Sequence, residues 1–268
     1  ASTQHDFAHR SLSALTELSA GAGDTPAIGL AATLSLRDSM LMNGILVHGL
    51  DYDDTHPDGI IHATASTFPC ALGVAAQTGQ DGDEMLAAYV AGVEVGARLA
   101  SVAKGGFHQV GFHPTGVIGA FACALVAGRL LGLSAAQLSM AQGIALSVAS
   151  GSLEFLSDGA WTKRMHPGWA AVAGLTAATL ARHGFKGPSQ AYEGRFGVFN
   201  SYLGALAKDA DMGLATADLG EVWELSKVTI KPMPACHFMH ACADAAAILR
   251  DRHGLRRHHV PHQQLGTN

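Results

Sequence analysis

The chain has 268 residues, with 17 Lys and Arg against 22 Asp and Glu, a formal net charge of −5, 48% hydrophobic residues and 15% charged ones. That balance suits a large buried core, argues against disorder, and offers no electrostatic basis for nucleic-acid binding. No apolar run reaches an uninterrupted membrane-spanning length, and Ala1-Ser2-Thr3-Gln4-His5-Asp6 lacks a basic-then-apolar leader, so no membrane contact and a cytoplasmic setting are expected.

The first clear helical pattern covers residues 37–50 and ends in an unusual cluster. From His48 to His62 the chain carries four carboxylates (Asp51, Asp53, Asp54, Asp58) and three histidines (His48, His56, His62). Groups so costly to desolvate rarely gather at the end of an apolar segment without a task. Asp81-Gly82-Asp83-Glu84 reads as an N-cap launching a helix to about residue 103. Within it, Glu94 and Arg98 stand one turn apart and are expected to form a structural ion pair. Residues 115–131 are nearly all apolar or small, as in a central buried helix. Ser134-Ala135-Ala136-Gln137 is a second capping box, for a helix to about residue 148. Pro167 is expected to open another, running to about residue 183. Val228-Thr229-Ile230 is the only convincing strand signal, so the expected fold is all-α. The four cysteines, Cys70, Cys123, Cys236 and Cys242, form no C-x-x-C pair. They read as reduced residues, with Cys236 a candidate for lining a site.

Asn43-Gly44, His48, Leu50-Asp51-Tyr52-Asp53-Asp54-Thr55-His56 resembles the signature of the MmgE/PrpD family, which includes 2-methylcitrate dehydratases, cis-aconitate decarboxylases and iminodisuccinate epimerases. Three more blocks are similar to family motifs and occur in family order: Gly111-Phe112-His113-Pro114-Thr115-Gly116, then Trp161-Thr162-Lys163-Arg164-Met165-His166-Pro167-Gly168, then Lys231-Pro232-Met233-Pro234-Ala235-Cys236-His237. Together they span residues 43–247. The resemblance implies a large helical bundle over residues 1–230, then the start of an α+β lid, largely missing, over residues 231–268. The His/Arg-rich tail from Arg256 matches nothing in the family, and the first family helix is not evident before Thr25.

By resemblance the chain is a cofactor-independent lyase, a homodimer through its helical domain, acting on a small anionic carboxylate with no metal. Acid–base elimination of water, as in 2-methylcitrate dehydratase, is the representative activity. Decarboxylation of cis-aconitate, epimerisation of iminodisuccinate and an inactive, lidless dimerising remnant are the alternatives. Such chemistry needs cations to spread developing charge and a positioned proton donor or acceptor. The matched positions supply both. Asp51 is the family's active-site aspartate, expected to orient a histidine. Thr55 is a substrate-contacting hydroxyl. His62, followed by Ala63 where relatives have Pro, is the general acid/base. His113 takes the second histidine role, while the similar Gly106-Phe107-His108 is expected to leave His108 facing solvent. Lys163 is a catalytic cation, His166 a helper or cap, and Lys231 a second substrate-carboxylate anchor. Asp53 and Asp54 are expected to be structural. A metal-dependent hydrolase built on Asp53, Asp54, His56 and His62 is the competing enzyme class, although no second His–Asp pair completes its coordination set.

Overall fold

In the computed structural model, residues 1–254 are described. The helices among them are α1 (Asp6–Leu18), α2 (Leu36–His48), α3 (Ala63–Thr78), α4 (Gly82–Val102), α5 (Gly106–Gln109), α6 (Pro114–Leu130), α7 (Ala135–Leu146), α8 (Thr162–Arg182), α9 (Val198–Leu203) and α10 (His240–His253). Two small antiparallel pairs join them: β1 (Thr25–Pro26) with β2 (Thr33–Leu34), and β3 (Asp54–Thr55) with β4 (Thr229–Ile230). The fold is the expected all-α bundle.

Helix α6 is its axis because it has no polar face. Fifteen of its 17 residues are buried, and α3, α4, α7 and α8 all pack around it. Small residues set how closely the surrounding helices approach. At the crossing of α2 with α8, a Cβ on Gly44 would lie 2.4 Å from the Gly168 Cα, so only glycine permits the contact. That crossing brings the C-terminal end of α2 beside the first turns of α8. His48 and Lys163 are thereby placed at the same end of the bundle.

Several elements differ from expectation. Helix α1 lies before Thr25, where no helix was evident; Phe7, Ala8 and Leu15 bury one narrow stripe against α2 in a segment that is otherwise exposed. Helix α3 went unread because Thr64, Thr67 and an internal Pro69 disfavour helix locally, and its almost complete burial overrides them. Helix α8 starts at Thr162, five residues ahead of Pro167, which sits inside the helix. Helix α4 is long and apolar enough, by length and composition alone, to cross a membrane, contrary to the sequence reading. In the fold it packs against α3 and α6 with a charged pair inside it. The tail from Arg256 onward lies outside the described residues.

That pair is the predicted one, with a further role. Arg98 Nε donates to Glu94 Oε1 at 2.6 Å, and both residues are buried. Its two terminal nitrogens donate to the carbonyls of Ala217 and Val222 at 2.6 Å each, while Glu94 Oε2 accepts the Leu225 N–H at 3.0 Å. The pair therefore clamps residues 217–225 onto α4. The chain leaves this clamp into β4, where Thr229 Oγ1 donates to the Thr55 carbonyl at 2.9 Å, and Lys231 follows directly. Arg98→Ala leaves a buried carboxylate without its counter-charge and removes the donors to two carbonyls. It is expected to lower folding stability by about 3–5 kcal/mol, measured by urea unfolding; a change within experimental error would contradict the clamp.

Candidate active site

The loop between α2 and α3 carries the acidic cluster, and its backbone is strained where it turns. Asp51 adopts φ +52°, a left-handed conformation that non-glycine residues hold only when their surroundings enforce it. The enforcing contacts are two lysines. Lys163 Nζ reaches Asp51 Oδ2 at 2.5 Å. Lys231 Nζ donates to Asp51 Oδ1, to the Asp51 carbonyl at 3.1 Å and to Asp53 Oδ1 at 3.2 Å. Burial pushes the Asp51 carboxyl up, but the charge of Lys163 and hydrogen bonds from both lysines outweigh it and hold it at about 2. Next to it, Asp53 Oδ2 accepts from His48 Nδ1 at 2.5 Å. Burial opposes the Asp53 charge too, yet His48, then His62 and Lys231, hold its carboxyl well below the ordinary range. Asp54 has no such cation. Burial, reinforced by the charge of Asp53, pushes it up to about 6.

Helix ends focus on the same point. His48 ends α2, His62 and His113 immediately precede α3 and α6, and Lys163 and His166 lie in the first turns of α8. Three helix N-termini thus direct their partial positive charge inward, which favours an anion. The His62 N–H donates to Thr115 Oγ1 at 3.1 Å, fastening the starts of α3 and α6 together. His62 Nδ1 donates to the Asp54 carbonyl at 2.6 Å and lies 3.2 Å from Thr55 Oγ1. That contact fixes the tautomer and leaves Nε2 as a proton acceptor. Burial drives His62 down to about 3, with Asp53 pulling the other way, and drives His113 well below its ordinary value. His166, whose Nδ1 is 3.1 Å from His113 Nδ1, is lowered to about 4 by burial and by His48 and Lys163. His62, His113 and His166 are therefore neutral at physiological pH.

A cavity of about 520 Å³ opens onto these groups. Thr55, His62, His108, His113 and Lys163 supply its polar wall, Leu153, Phe155 and Leu156 its apolar wall, and Cys236, His237 and Phe238 a flank. Lys163 uses one acceptor, Asp51, so donors remain for a ligand. A small polyanion fits this combination.

Of the sequence-predicted site residues, Thr55, His62, His113 and Lys163 converge on this cavity, and Asp51 holds Lys163 beside it. Four readings change. Lys231 is no substrate anchor in this fold, because it is 1% exposed and its three donors are taken by Asp51 and Asp53. His166 sits behind His113 and faces a separate pocket, since the earlier start of α8 places it within the helix. Asp51 is bonded to lysines, and the histidine-orienting contact is made by Asp53, which had been read as structural. His108, within α5, is half-buried and lines the cavity instead of facing solvent. His48 and His237 were missed, though both lie within matched blocks, where residue type and proximity were the available signal. Cys236 does line the site, while Cys70 and Cys123 are buried in the core and Cys242 is exposed.

The quartet Asp53, Asp54, His56 and His62 does not assemble. His56 is turned away, accepting the Gly59 N–H at 3.1 Å and bonding Glu224 at 3.0 Å. The nearest donor set with ligand character is His48, His62 and His113, whose ring nitrogens lie within 4.8 Å of one another. Imidazoles are adequate ligands, but a dication there would face the ammonium groups of Lys163 and Lys231, which already neutralise Asp51.

The family model for the MmgE/PrpD N-terminal domain matches residues 1–210. Among curated proteins, the human cis-aconitate decarboxylase is 31% identical over 217 residues, 78% of this chain and 43% of that protein. The mouse cis-aconitate decarboxylase is 32% identical over 219 residues, with the same coverage of each chain. The Aspergillus terreus cis-aconitate decarboxylase is 28% identical over 242 residues, 84% of this chain and 48% of that protein. The chain thus spans about half the length of the curated relatives it matches.

The site's electrostatics make folding sensitive to acid. His62 and His166, held at about 3 and 4, take up protons near 6.5 once unfolded, so the unfolded state binds more protons between those values. Stability present above pH 6.5 is lost as pH falls, by roughly 2 kcal/mol for each histidine at about pH 5. Asp54, raised to about 6, acts oppositely and offsets roughly 1 kcal/mol at about pH 5. Asp51, held at about 2, adds a loss only below its unfolded value of 3.8. The expected net result is a lower urea midpoint at about pH 5 than at neutrality; equal midpoints would show that these histidines are not held neutral.

Proposed function

The chain belongs to the MmgE/PrpD family, and from that premise we propose that it is a cofactor-independent lyase acting on a small di- or tricarboxylate, with decarboxylation of cis-aconitate as its reaction. The observation that carries this reading is the meeting, in one cavity, of a lysine with unused donors and two buried neutral histidines. A substrate carboxylate pairs with Lys163 at the focus of the helix N-termini. Its negative charge raises the proton affinity of His62 and His113, so binding converts one of them to an imidazolium. Cleavage of the carbon–carboxylate bond releases carbon dioxide and leaves its electron pair on the substrate. Lys163 and the imidazolium spread that charge, and the imidazolium then gives its proton to carbon. The histidine returns to its neutral form, ready for another anion.

Elimination of water from 2-methylcitrate is the second reading, supported by the presence of two cavity-wall histidines. One would remove a proton while the other protonates the departing hydroxide. Decarboxylation is preferred because it needs one proton delivered and no acid for a hydroxide. It is also the activity in the relatives' names. The same reading takes the chain as a homodimer, with the exposed apolar groove of Leu18, Met165 and Trp169 between α1, α2 and α8 available for a second copy.

The test is to follow cis-aconitate and 2-methylcitrate by proton NMR with the purified chain and with Lys163→Ala. Consumption of cis-aconitate by the parent is expected, with kcat/KM reduced on the order of 100-fold or more in the variant. Neither turnover nor binding of either acid by a folded parent chain would overturn the proposal.

A further inference from the structure

His48 lies at the centre of the imidazole cluster, and no step above uses it. It is 1% exposed and central to the group, with its ring centroid 5.0 Å from that of His62 and 5.7 Å from that of His113. His62 and His113 stand in the cavity wall, each within reach of a ligand. His48 lies beneath them, and among the four clustered imidazoles it alone is hydrogen-bonded to a carboxylate. A short bond to the Asp53 carboxylate places a proton on Nδ1 and leaves Nε2 as the free end of the ring. That Nε2 is fully buried and has no hydrogen-bond partner. An unpartnered buried polar atom is costly and calls for an explanation.

We propose that Asp53 and His48 form a buried proton-sharing dyad behind the cavity wall, with His48 Nε2 accepting the proton that His62 or His113 acquires during turnover. His48 is thus a positioning residue, acting on substrate only through those two. In the shared step an N–H bond breaks at His62 or His113 and an N–H bond forms at His48 Nε2. The imidazolium so formed stays paired with the Asp53 carboxylate, and the reverse transfer restores the proton for delivery to carbon. Nothing is oxidised and no further reactant is needed. One ring nitrogen from each of the three histidines lies within 4.8 Å of the others, so transfer requires the rings to close to hydrogen-bond distance.

The charges facing His48 are consistent with this role. Asp53 is its direct partner, Asp51 offers a second carboxylate within 4.8 Å, and Lys231 bridges the two carboxylates from the far side. From α8, His166 packs behind His113 as a neutral imidazole, and the charge of Lys163 adds to burial in keeping His113 neutral until an anion binds. Among the described residues, Asp53 is the only group that can compensate a proton on His48 through a direct bond.

The inference rests on the lyase reading for its purpose, but its geometry is measurable without substrate. Side-chain proton–nitrogen correlation spectra of the full chain, recorded between about pH 5 and 8, report the tautomer and titration of each imidazole. His48 is expected to be the Nδ1–H tautomer, and its titration is expected to be biphasic and shared with His62 or His113. Asp53→Asn should scramble the tautomer and remove the shared phase. An Nε2–H tautomer in the parent chain, or independent titrations that His48→Gln leaves untouched, would overturn the dyad even if a variant folds poorly. With cis-aconitate, His48→Gln is expected to lower kcat about tenfold or more, short of the full 10²–10⁴-fold of general acid–base catalysis, with KM within about threefold and a displaced pH profile. An unchanged kcat and profile would also overturn it. If the parent turns over neither acid, the lyase reading fails while the tautomer measurement still decides the dyad.

Discussion

Everything at the open end of the bundle depends on one buried ammonium group. Lys231 is withdrawn from solvent and gives its three donors to Asp51 twice and to Asp53 once. An unpaired charge at that depth would be costly, so the lysine and the two carboxylates stabilise one another only as a set. The set fixes the strained turn at Asp51 and thereby the position of Lys163. It also aims the other Asp53 oxygen at His48. The Glu94–Arg98 clamp on α4 and the β3–β4 pairing deliver Lys231 to this place from 180 residues further along the chain.

With its carboxylates already matched to lysines, the site has little use for a dication and a strong preference for an added anion. Three helix N-termini and the remaining donors of Lys163 act in the same sense. Burial supplies the complementary element by keeping the histidines uncharged. A cluster of imidazolium ions would bind an acid tightly but could not accept a proton, whereas neutral imidazoles become acids only once the substrate's charge is present. In the proposed reaction, binding and acid–base readiness are thereby coupled through electrostatics alone, with no moving part required.

Much of this site was legible in four short motifs, and the reason is local. His62, His113 and Lys163 each sit at a helix end, and helix ends are where sequence is most informative: a proline after His113, small residues after His62, a turn before Lys163; Thr55, in β3, is carried by the acidic motif beside them. What stayed hidden depends on partners distant in sequence. Whether Lys231 faces substrate or salt-bridges inward turns on where Asp51 points, and no spacing rule reports that. His48 ends a helix, and only the return of the chain at Asp53 gives it a carboxylate partner. The bundle was readable for the same reason, since α4, α6 and α7 carry caps or unbroken apolar runs. By contrast, α1 and α3 owe their existence to packing that overrides local preference.

The central claim is that buried neutral histidines acquire their charge from the acid they bind. Calorimetric titration of the chain with cis-aconitate, in two buffers of different ionisation enthalpy near neutral pH, measures the protons taken up on binding. Uptake of about one proton per acid bound is expected. Binding with no proton uptake would contradict it, because the histidines would then be either charged before the substrate arrives or indifferent to it.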